Sequence, residues 1–101
     1  MGINRLDRFV ALALQVDCDG VHPDADRESA ARRMAASLRR IDQAIGGAKR
    51  WIGQDLKLVV LPEYILSGPP WGETIPQWAD KGALAPDGPE YETLAAMAQK
   101  H

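Results

Sequence analysis

The chain has 101 residues, the length of one small domain, and 46% of them are hydrophobic, enough for a packed core and too many for a disordered segment. With 12 Lys and Arg against 14 Asp and Glu, the formal net charge is −2, which gives no electrostatic basis for binding nucleic acid or an anionic membrane. One cysteine, Cys18, excludes an internal disulfide and suits a reducing compartment, so the expected location is cytoplasmic.

Phe9 to Val16, "FVALALQV", is a nearly continuous apolar run without helical period, bounded by "DCDG". It predicts a strand buried on both faces. The run is too short to span a bilayer, and no small-residue cleavage site follows it, so neither a membrane segment nor a leader is expected. "DCDGVHPDAD" is turn chemistry, and a helix begins near Asp24 or Asp26, either of which can cap it.

Ala31, Met34, Leu38, Ile41, Ile45, Ala48 and Ile52 then follow in alternating steps of three and four, one stripe along a helix. Arg32, Arg33, Arg39 and Arg40 fall off that stripe, as a solvated outer face or a basic binding face would place them. Gly46 and Gly47 are expected to weaken the helix and end it early. Leu56 to Leu61 reads as a second strand. The segment from Ile65 to Asp87, with four prolines and with Trp71 and Trp78, reads as one long loop whose tryptophans serve as core anchors or as pocket lining. "APDGPEYETLAAMAQKH" predicts a closing helix with Pro89 in its first position, Glu90 and Glu92 at the positive end of its dipole, and Tyr91, Leu94, Ala95 and Ala98 on its apolar face.

The order strand, helix, strand, loop, helix predicts an α/β fold with parallel pairing. Two strands make too small a sheet for such helices, so residues 1–101 read as the incomplete N-terminal segment of a single larger domain.

Two places in this order carry possible chemistry. Pro62 lacks an N–H for a strand ladder and fits the end of the second strand, which sets Glu63 at the strand's carboxyl edge. Ligands bind at that edge in open α/β sheets, and a carboxylate shielded there by apolar neighbours suits a general base. A carboxylate decorating a solvated loop is the alternative. The second place is "QVDCDGVHPDAD". A calcium loop aligned on Asp17, Asp19 and Gly20 would need Gln15 as first ligand and Asp26 as last, and a strand precedes it instead of a helix, so no metal site is assigned. A Cys18–His22 nucleophile pair is disfavoured because Asp17 and Asp19 flank the thiol.

Taken together, "VALALQVD", the long helix after an Asp-rich turn, "LVVLPEY" and "GALAPDGPEYETLAAMAQKH" resemble the N-terminal part of the nitrilase superfamily, the carbon–nitrogen hydrolases, over nearly the whole chain from about Phe9. The resemblance implies an αββα sandwich, a Glu-Lys-Cys catalytic set, no cofactor, a small amide or nitrile substrate and a homo-oligomeric full-length form. It implies that Glu63 is the general base that activates a cysteine thiol, with Tyr64 and the loop after it lining the substrate pocket. The family's lysine and cysteine lie beyond the glutamate. Lys57, Lys81, Lys100 and Cys18 do not occupy those positions, so this segment alone is expected to be inactive.

Two rivals stand beside this expectation. A hydrophobic strand followed by Asp-x-Asp-Gly resembles the first motif of the haloacid dehalogenase superfamily, which would make Asp17 a nucleophile and Asp19 an acid/base in a magnesium-dependent phosphatase. The other rival is a truncated, non-catalytic interaction module.

Overall fold

The computed structural model describes residues 8–101. Strands β1 (Val10–Ala13) and β2 (Leu56–Val60) lie side by side in parallel, connected by the 26-residue helix α1 (Arg27–Ile52). A turn after β2 leads to a short helix α2 (Ile75–Gly82) and then to α3 (Pro89–Lys100). The architecture is α/β with a two-stranded parallel sheet.

Asp26 caps α1, its carboxylate accepting from the Ser29 N–H at 2.8 Å, and Glu28 in the first turn with Lys49 and Arg50 in the last complement the dipole. Contrary to expectation, the helix runs through Gly46 and Gly47. A side chain at 46 would meet the His101 ring at 3.4 Å, so the glycine leaves room for the end of α3 against α1. There Asp42 accepts from Lys100 at 2.9 Å and pairs with His101 at 2.8 Å, and these two contacts hold its carboxyl below the usual range. Gly53, at φ 102°, then ends the helix.

The buried stripe of α1 is Ala30, Met34, Ser37, Leu38 and Ile41, rotated by one residue at its start from the predicted line. Val21, Leu66 and Met97 complete the core, with Leu14, Val16, Leu61, Ile65, Trp78 and Leu94 packed around it.

The sheet departs from expectation in two ways. β1 stops at Ala13, three residues early. Its last rung is Leu14 N–H to the Val60 carbonyl at 2.9 Å, and since rungs fall on alternate residues the next donor would be residue 62, a proline. Nor are the strands buried on both faces. Leu12, Leu14, Val59 and Leu61 face the helices, whereas Ala11, Ala13, Leu58 and Val60 are exposed, Leu58 at 47% and Val60 at 52%. The helices form a single layer, so only one face of the sheet is covered among the described residues.

The predicted loop from Ile65 to Asp87 contains α2. Thr74 and Gln77 form a capping box, Pro76 occupies the first turn, and the Arg27 guanidinium reaches the carbonyls of Asp80, Lys81 and Ala83 at the other end. In α3, Glu90 turns inward to 5% exposure instead of facing solvent, and its Oε2 has no hydrogen-bond partner among the described residues. Met97, absent from the predicted face, is the core residue of α3, while Tyr91, Ala95 and Ala98 are exposed.

Met34 is fully buried and Trp51 is 92% exposed. Met34→Ala is expected to destabilise the fold by about 2–5 kcal/mol. Trp51→Ala is expected to change stability by less than about 0.5 kcal/mol, both read from urea unfolding.

Candidate active site

The carboxyl ends of β1 and β2 open into two turns that meet backbone to backbone. Val21 N–H donates to the Ser67 carbonyl at 2.9 Å, and Gly68 N–H closes the second turn on the Tyr64 carbonyl at 2.8 Å. That same carbonyl accepts from the Cys18 thiol at 3.1 Å. Gly68 has φ 67°, and a methyl placed on it would sit 2.8 Å from the Gly20 Cα, so residue 68 must be glycine for both its dihedral and its clearance.

Glu63 opens the second turn. Its side chain is exposed, not shielded by apolar neighbours, and makes no hydrogen bond or ion pair with another described residue. Tyr64 beside it adopts φ 59°, a left-handed conformation that costs a non-glycine residue on the order of 1 kcal/mol, and its side chain is half exposed. Strain of this kind persists where the surroundings over-determine it, and here the two bonds to the Tyr64 carbonyl do so.

Cys18 and His22 do not meet as a nucleophile and base. The thiol is turned to the Tyr64 carbonyl, while His22 Nδ1 lies 2.6 Å from Glu73 Oε1. Asp17 and Asp19 also separate. Asp17 lines a cavity of about 350 Å³ with Gln15, Ser37, Arg40 and Ile65, whereas Asp19 pairs with Arg33 at 2.9 Å. Arg33 also holds Asp24 at 2.8 Å, and the two carboxylates raise the guanidinium's proton affinity above its ordinary value. Among the described residues no third His, Cys, Asp or Glu joins either aspartate in a cluster able to hold a metal.

Sequence reasoning missed Glu73 and Lys81. Lys81 is buried at 8% exposure, and its ammonium donates to the carbonyls of His22 at 3.1 Å and Asp24 at 3.0 Å and to Glu73 Oε1 at 3.3 Å. Glu73 Oε2 accepts the Trp71 N–H at 2.6 Å. Hydrogen bonds from His22, from the Trp71 backbone and from Lys81 bring the Glu73 carboxyl down to about 2. The partners lie on three separate segments, and no local spacing signals their meeting. Trp71 is exposed, and Trp78 packs on the core, where a methyl placed on residue 82 would sit 3.1 Å from its ring.

No family model, curated protein or solved structure matches this chain.

Gly68→Ala is expected to cost about 1–3 kcal/mol in chemical denaturation and to broaden the amide resonances of both turns. The second expectation concerns acid. Because folding lowers the Glu73 carboxyl from 4.5 to about 2, its contribution to stability is complete above pH 4.5 and is lost as pH falls toward 2. Thermal unfolding of Glu73→Gln between those pH values is expected to show a shallower acid-side decline than the parent.

Proposed function

We propose that the chain is the N-terminal part of a carbon–nitrogen hydrolase of the nitrilase superfamily, with Glu63 as general base of an amidase or nitrilase reaction. The observation that carries this reading is the state of Glu63. It is a carboxylate without an internal partner, at the carboxyl end of a parallel strand, on a turn fixed by three backbone and thiol contacts. That edge is where ligands bind in open α/β sheets.

The uncovered sheet supports the same reading. Ala11, Ala13, Leu58 and Val60 form an apolar outer face, and a groove of about 280 Å³ runs along β2 under Ile45, Leu94 and Met97. An αββα sandwich would place further strands along such an edge and a second sheet on such a face. The proposed lysine and cysteine come from polypeptide outside these residues, and the full protein would be cytoplasmic and homo-oligomeric.

In the proposed reaction Glu63 takes the proton of the cysteine thiol, and the thiolate attacks the carbon of a small amide or nitrile. For an amide, the tetrahedral oxyanion is stabilised by the lysine, the C–N bond breaks, and the amine leaves with the proton held by Glu63. Water, deprotonated by the same carboxylate, then releases the acid from the thioester and regenerates the thiol. Tyr64, half exposed beside Glu63, would line the substrate pocket.

The phosphatase reading has less support, since the proposed acid/base Asp19 is occupied by Arg33. In the full-length protein, Glu63→Gln is expected to lower kcat/KM on amides by at least about 10²-fold with the fold intact. Near-normal turnover would end the proposal.

A further inference from the structure

We propose that His22, Glu73 and Lys81 form a protonation-sensitive clasp that holds the segment carrying Trp71 against the turn after β1. This inference stands apart from the hydrolase reading. Glu73 sits between the acid-bearing turn and α2, and one carboxylate binds three groups: His22 at 2.6 Å, Lys81 at 3.3 Å and the Trp71 N–H at 2.6 Å. The Lys81 ammonium spends all three of its donors on Glu73 and on the carbonyls of His22 and Asp24, so it is the fixed half of the clasp. His22 is the variable half. Its side chain is 51% exposed, where a proton exchanges freely with solvent, and its ring lies 6.4 Å from the Trp71 ring, tilted by 53°.

The charges around the imidazole determine the direction of the response. From the segment before α2 it faces Glu73, and from α2 it faces Lys81, with Asp80 beside that lysine. From its own turn Asp24 and Asp19 stand near, but α1 engages both through Arg33. Glu73 is therefore the carboxylate in direct contact with the ring. A protonated His22 adds an ion pair to the hydrogen bond that the Glu73 carboxylate already accepts, and the opposing Lys81 charge is already shared with two carbonyls. Neutral His22 leaves the Nδ1–H bond to the carboxylate without the ion pair, and Lys81 then carries more of the tether. The Trp71 segment is thus held tightly in mild acid and more loosely above neutrality.

Amide hydrogen exchange of the Trp71 N–H, followed by NMR in the 101-residue chain and corrected for intrinsic rates, tests this directly. Protection is expected to fall at least about fivefold between about pH 5 and about pH 8 through a one-proton transition. His22→Gln keeps an N–H donor but cannot charge, and it is expected to flatten the transition while circular dichroism stays unchanged. Glu73→Gln is expected to flatten it as well, and that variant decides the matter if His22→Gln does not fold. Constant protection in the parent, or a transition that survives in either folded variant, would overturn the proposal.

Discussion

Two glycines pressed together join the turns at the carboxyl end of this sheet. Gly20 and Gly68 bring the turns after β1 and β2 into contact closer than a side chain at residue 68 permits, and the bonds Val21 to Ser67 and Cys18 to Tyr64 join the same two turns. Beside that contact stand the left-handed backbone of Tyr64, Glu63 at the strand end, and His22 with its Glu73 and Lys81 partners. The thiol of Cys18 takes part as a hydrogen-bond donor to a strained turn.

The two sides of the sheet are in different physical states. Toward the helices, Met34, Leu38, Ile41 and Met97 seal a core with Leu14, Val16 and Leu61. Away from them, Leu58 and Val60 stand about half exposed, and β2 leaves an edge facing a groove. A parallel sheet is ordinarily covered on both faces. The proposed sandwich would answer that imbalance by giving the bare face and the free edge partners. No helix among the described residues is long and apolar enough to cross a membrane, so none of this apolar surface belongs to a spanning helix.

Much of the fold was legible where the signal was local. The steps of three and four through Met34, Leu38 and Ile41 marked α1, Asp24 or Asp26 marked its start, of which Asp26 is the cap, and Pro89 marked the start of α3. Pro62 marked the strand end that carries Glu63. α2 was legible and missed, because the prolines around it outweighed the capping box of Thr74 and Gln77. The errors elsewhere were tertiary. Gly46 reads as a helix breaker until His101 lies against it, and Glu90 reads as a dipole partner until packing turns it inward. Burial of both strand faces followed from composition, but burial depends on what covers the sheet. The Glu73 and Lys81 cluster had no local signature, since it joins residues more than 50 positions apart, as the separation of 51 between His22 and Glu73 shows.

The account rests on what faces Glu63 in the whole protein. The most direct measurement is a crystal structure of the full-length gene product with the separation between the Glu63 carboxylate and the nearest cysteine sulfur read from it. A cysteine other than Cys18 is expected within about 4 Å of that carboxylate, in proton-transfer reach, with a lysine ammonium beside it. A Glu63 carboxylate left in bulk water, with no thiol in its neighbourhood, would contradict it.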